Sequence, residues 1–121
     1  LPGQLGDVKW CGWVGGDVIN AYARTDTAYV HRGALTLLRP TTVWANDTDP
    51  GVVDALNAWT AAVIQAIEPA TMNESYQNFP NRDIVDWQQQ YYAENWERLV
   101  EVKTRYDPGD LFRNPQSIPP E

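Results

Sequence analysis

The sequence holds one cysteine and one histidine in 121 residues, and only nine lysines and arginines. With Cys11 alone, a disulfide within the chain is excluded, and so is any site built on several thiolates. Set between Trp10 and Gly12, Cys11 reads as a small buried strand residue. With His31 alone, no histidine set can gather a metal, and Asp47 and Asp49 read as loop and cap residues, so the expected metal set is none. His31 stands beside Arg32 and reads as a structural hydrogen-bonding residue rather than a catalyst. The shortage of cations leaves a net charge of −7, which excludes nucleic acid as an expected partner, because phosphate backbones are bound by clustered Lys and Arg. No apolar run has the length of a bilayer span, so no membrane is expected, and no signal-peptide pattern stands at the start. The chain opens on Leu1 rather than Met and reads as a piece of something longer.

What the sequence does contain is ring surface. Six tryptophans and six tyrosines are many for one small domain, and rings with a polar edge favour places where a core meets a ligand or a partner. The hydrophobic share of 43% is ordinary for a folded chain and leaves room for a single core. Two triplets, Asn46-Asp47-Thr48 and Asn73-Glu74-Ser75, would accept glycans in a eukaryotic secretory pathway, so secretion stays open and the compartment unknown.

The pattern along the chain is α+β. Val8 to Val14 and Asp17 to Arg24 are rich in β-branched and aromatic residues around Gly15-Gly16, which predicts two antiparallel strands joined by a tight reversal. Ala34 to Trp44 predicts a third strand, with Pro40 marking an edge or a bulge. Asp49-Pro50 is a strong helix start. Val52, Val53, Leu56, Trp59, Val63, Ile64 and Ile67 then repeat at helical spacing up to Pro69, giving one apolar face to lay on the sheet. A second helix is predicted from about Asp83 to Arg105, with Ile84, Trp87, Tyr91, Leu99 and Val102 inward and a break near Ala93. Asp107-Pro108-Gly109 ends it, and the proline-rich tail from Asn114 to Glu121 should run extended. The predicted fold is therefore part of an antiparallel sheet followed by two main helices and an extended C-terminal tail.

Between these elements lies an ordered series of short motifs: Tyr76-Gln77-Asn78-Phe79-Pro80, then Tyr91 to Leu99, Val102-Lys103, Tyr106-Asp107-Pro108, and Phe112 to Pro119. Singly each is weak; in this order and spacing the set resembles the C-terminal segment of berberine bridge enzyme-like FAD-linked oxidoreductases. Gly15-Gly16 and His31-Arg32-Gly33 are similar to that family's paired glycines and His-Arg-Gly corner. The resemblance implies that residues 1–72 end a substrate-binding domain and that 73–121 form the family's C-terminal segment. It also implies that FAD is bound mainly by a larger region outside this chain, where the attachment residues are expected; His31 and Cys11 do not match the attachment motifs.

The implied site begins at Tyr76. Alternation predicts a short strand in which Tyr76 and Asn78 share one face, and the resemblance puts these two at the polar edge of the flavin ring as cofactor-binding residues. Phe79, Leu38 and Trp13 are the candidate substrate-pocket residues, and Trp44 is a further ring that could line a cleft or join the core. Some plant members carry a tyrosine where Phe79 stands and a glutamate in the place matched to Leu38; neither residue here can exchange a proton, so the catalytic residue is unknown. Asn95 and Arg98 are expected to tie the terminal helices to the rest of the fold. The implied function is that of a C-terminal part of an FAD-dependent oxidase or dehydrogenase acting on a small molecule, an alcohol, sugar or secondary metabolite. Its expected partner is the polypeptide carrying the FAD-binding domain. A non-catalytic binding or interaction module is the alternative.

Overall fold

The structure, a computed structural model, describes residues 6–11 and 15–121. The chain is α+β, with a two-stranded antiparallel sheet and two main helices, and it divides into two compact units. One unit holds the first strand and Ala34–Met72; the other holds Gly15–Gly33 and Asn73–Glu121.

In the first unit β1 (Gly6–Cys11) pairs with β2 (Leu37–Thr42), in a register that sets Gly6 opposite Thr42, Val8 opposite Pro40 and Cys11 opposite Leu37. Each strand of a two-stranded sheet keeps one open edge, and Pro40, which has no N–H to give, is tolerated in such a strand. Helix α2 (Pro50–Ile67) starts where the sequence predicts: the Asp49 carboxylate accepts from the Gly51 N–H at 2.8 Å and Pro50 occupies the first turn. Its inner face centres on Leu56, only 2% exposed, with Val53, Trp59, Thr60, Val63 and Ile67 half-buried around it; Val52 and Ile64 turn outward. Burying a leucine in this way contributes about 2 kcal/mol. The helix lies close to the strands. A Cβ at Gly6 would come within 2.9 Å of the Trp59 ring, and the Thr42 and Thr60 hydroxyls meet at 3.4 Å. The helix closes in the short 3₁₀ turn Glu68–Ala70, around Pro69.

The second unit departs from the predicted pattern in three places. Asp17 to Arg24 does not form a strand. Asp17–Asn20 is a single helical turn, α1, in which the Asn20 and Ala21 N–H groups donate to the carbonyls of Gly16 and Asp17, and bends follow. Local polar groups out-compete a ladder here: the Asp26 carboxylate accepts from the Ala23 N–H at 2.8 Å, and Thr27 Oγ1 accepts from the Tyr29 N–H. The sheet among the described residues therefore has two strands rather than three. The strand predicted to continue to Val14 is described only as far as Cys11.

The long second helix is split. Asn81 first folds a local turn, its side-chain oxygen accepting from the Asp83 N–H, so helix α3 (Trp87–Tyr92) starts later than Asp83. Ala93 then takes φ 40°, a left-handed value uncommon for a residue with a Cβ, and a 3₁₀ turn (Ala93–Asn95) leads into α4 (Trp96–Tyr106). The break near Ala93 is as predicted, but it shifts the helical phase. Tyr91 is buried as expected, whereas Val102 is 44% exposed, and Asn95 and Val100 take the inward places.

The tail carries no helix or strand and is fastened to the helices by side chains. Lys103 reaches Asp107, Asp110 and the Phe112 carbonyl, while the Asp107 carboxylate accepts from the N–H groups of Leu111 and Phe112. The amide of Gln116 donates to the Asn81 carbonyl at 2.8 Å and its oxygen accepts from the buried Tyr91 hydroxyl. The Glu121 N–H donates to Thr104 Oγ1. No helix of the described residues is long and apolar enough to cross a membrane.

Candidate functional site

The third departure is at the predicted site itself. Tyr76 to Phe79 is a reverse turn, not a strand, closed by the Phe79 N–H donating to the Tyr76 carbonyl at 2.9 Å. Asn73, at φ 53°, sets the chain direction just before it. Strand alternation would have put Tyr76 and Asn78 on one face; the turn brings them together more tightly, with the Asn78 amide donating to the Tyr76 hydroxyl at 2.7 Å. Asn78 is exposed, Tyr76 half-buried and Phe79 41% exposed.

Tyr76 is set among rings. Tyr29, His31 and Phe79 all meet it edge to face, with centroids 6.1, 6.3 and 5.8 Å away, and Tyr29 and His31 meet each other in the same manner at 5.3 Å. Perpendicular pairs at such distances set the positive ring edge against the negative ring face. Arg32 lies over the Tyr29 and Tyr22 rings and donates to Thr27 Oγ1. Burial pushes the Tyr29 phenol above its ordinary pKa; the neighbouring Tyr76 and Glu74 add to this and Arg32 opposes it.

Behind the rings runs a chain of charges. Arg24 donates to Glu94 and, at 2.7 Å, to Glu74; the other Glu74 oxygen meets His31 Nδ1 at 2.8 Å. Hydrogen bonds to Glu94 and then Glu74 raise the Arg24 guanidinium pKa, and the Arg24 bond in turn lowers Glu94. Buried Asn95 completes the frame, its amide donating to the carbonyls of Arg24 and Thr27. Asn95 thus does the tying expected of it, while Arg98 is exposed. His31 is structural in the sense predicted, buried and hydrogen-bonded. Arg24, Tyr29, Glu74 and Glu94 are the participants that the sequence pattern did not single out. The charged pairs among them and with His31 span 43 to 70 residues of chain, and no local spacing signals them.

Of the candidate pocket residues, Phe79 belongs to this ring cluster. Leu38 sits on β2 in the other unit, 36% exposed. Trp13 lies outside the described residues. Trp44, at 43% exposure, follows β2 in the same unit as Leu38. Among the described residues no three His, Cys, Asp or Glu side chains gather as a metal ion would require.

The chain as a whole is similar to known proteins in sequence and fold. Residues 75–119 match the family model described as berberine and berberine like. The chain carries the berberine bridge enzyme-type C-terminal segment of FAD-linked oxidoreductases. It is similar to the FAD-linked oxidoreductase YgaK of Bacillus subtilis, 37% identical over 105 residues that cover 87% of this chain and 22% of the relative. Among solved structures, the berberine bridge enzyme-like protein 28 of Arabidopsis thaliana superposes with a TM-score of 0.84 at 28% identity, covering 98% of this chain and 28% of that one. A variant of the grass pollen allergen Phl p 4, described as a glucose dehydrogenase, gives 0.70 at 30% identity, covering 88% of this chain and 25% of that one. The chain spans about a fifth of the length of the curated relatives it matches.

Proposed function

We propose that this chain closes the flavin site of an FAD-dependent oxidase or dehydrogenase, with Tyr76 and Asn78 at the polar edge of the isoalloxazine ring. Residues 1–72 would complete the substrate-binding domain and 73–121 the C-terminal segment. The observation that carries this reading is the Asn78-to-Tyr76 hydrogen bond, at the surface of a turn whose far side is locked into rings. An amide and a phenol held together supply both donors and acceptors, the chemistry that flavin carbonyls and ring nitrogens require, so the residues fit the cofactor. When bound, FAD supplies the redox chemistry by accepting a hydride.

The work left to this chain is binding, orientation and exclusion of water. Asn78 and Tyr76 would fix the ring edge. The half-exposed Phe79 would form an apolar wall that guides a small substrate. Because neither Phe79 nor Leu38 can move a proton, any base acts from elsewhere. The likeness to a protein described as a glucose dehydrogenase supports an alcohol or sugar as one class of donor.

A partner polypeptide carrying the FAD-binding domain is part of the proposal. Tyr106, Leu111 and Phe112, close in sequence, are each more than 70% exposed, and exposed apolar side chains of that size favour burial against another surface. The test is reconstitution with that polypeptide and FAD. A yellow assembly whose flavin absorbance shifts, or whose flavin is released more readily, with Asn78→Ala supports the reading. A colourless, monodisperse folded chain that binds no flavin-bearing partner would overturn it in favour of a plain interaction module.

A further inference from the structure

The charge chain behind the rings has no role in flavin contact as just described, yet it is built with more care than surface ion pairs usually are. Glu74 is two residues before Tyr76, and its side chain is 16% exposed. One of its oxygens is held by Arg24, which Glu94 holds in turn; the other faces His31 Nδ1. A carboxylate can only accept, so Nδ1 donates to it and the imidazole is held in one plane. The His31 side chain is 8% exposed, and the hydrogen bond that orients it among the described residues is the one to Glu74. That ring stands perpendicular to Tyr76.

Resting on the flavin-edge reading, we infer that His31 is a positioning residue for Tyr76: Arg24 and Glu74 lock the imidazole, and the imidazole, with Tyr29, holds the phenol where Asn78 bonds it. The order of support runs from Glu94 through Arg24, Glu74 and His31 to Tyr76. The first members are charge-assisted bonds, and the last is a ring contact whose geometry follows from them. A histidine suits the link because one residue offers both an N–H for the carboxylate and a flat ring for the phenol. Asparagine can replace only the first function and phenylalanine only the second.

The test uses the assembled, flavin-loaded protein with a fluorinated tyrosine at position 76, whose fluorine resonance reports the phenol's surroundings whether or not it touches flavin. His31→Asn keeps a donor for Glu74 and removes the ring; His31→Phe keeps a ring and removes the donor. Both should shift or broaden the resonance, and Glu74→Gln should do so more weakly. His31→Asn should also move the flavin visible band in the direction that Tyr76→Phe moves it, and should add nothing further in a Tyr76→Phe background. An unchanged fluorine resonance in both His31 variants overturns the inference. So does an equal flavin shift with and without the Tyr76 hydroxyl, because His31 would then act by another route. If the resonance responds while Tyr76→Phe and Asn78→Ala leave the flavin spectrum untouched, the positioning stands and the flavin-edge reading falls. Should His31→Asn fail to fold, His31→Phe and Glu74→Gln decide the matter through the same resonance.

Discussion

The two compact units solve the same stability problem with different materials. The first is regular: two paired strands, an 18-residue helix and an apolar face centred on Leu56. The second has short helices and long irregular stretches, and holds them with side chains that satisfy distant backbone groups, as Asn95 does for Arg24 and Thr27, and Asp107 for Leu111 and Phe112. Volume governs the first, polar satisfaction the second. The second unit also carries the candidate site, where side-chain stitching can place groups that no ladder or helix repeat would bring together.

That contrast can be broken by substitution. The largest loss is expected at Leu56→Ala, about 3 kcal/mol, with Leu56→Met costing under about 1.5 kcal/mol, since only volume matters there. Denaturant unfolding of the assembled protein measures both, and equal losses would mean that volume is not what the first unit depends on. Next comes Asn95→Leu, similar in size but unable to donate. Stranding the carbonyls of Arg24 and Thr27 should cost about 2 kcal/mol, whereas a purely apolar requirement at this place predicts no loss.

The smallest effect concerns pH. The Lys103 bond, followed by the backbone N–H groups of Phe112 and Leu111, holds the Asp107 carboxyl down to about 2 against an ordinary 3.8. A depressed folded pKa stabilises above the unfolded value and is lost as pH falls through the folded one. Stability should therefore decline from about pH 4 towards pH 2 on this account. Asp107→Asn should flatten that part of the profile, which thermal unfolding across the range would reveal.

The regular unit was legible from sequence because its signals are local. Asp49-Pro50 opens α2, the apolar repeat chooses its face and Pro69 ends it, all within one stretch of chain. The motif order from Tyr76 to Pro119 likewise marked the C-terminal segment, and residues 75–119 match the family model. Periodicity failed where side chains override it. Asp17 to Arg24 has strand-like composition, but the Gly16 and Asp17 carbonyls and the Asp26 side chain take up N–H groups that a ladder would need. The helix after Trp87 changes phase at Ala93, a residue whose type gives no warning of φ 40°. Alternation predicts Tyr76 and Asn78 on one face of a strand; they instead meet side chain to side chain across a turn. The charges behind them were not anticipated, because Arg24 meets Glu94 across 70 residues.

The fastening of the tail has a mechanical meaning. A segment without helix or strand would ordinarily behave as a tether, yet here Glu121 is hooked to Thr104, Gln116 to Asn81 and Tyr91, and the Leu111–Phe112 stretch to Asp107 and Lys103. Pulled from residue 121 in a force spectrometer, the tail would load these hooks one after another instead of paying out freely, from Glu121 on Thr104 back to the clasp at Lys103.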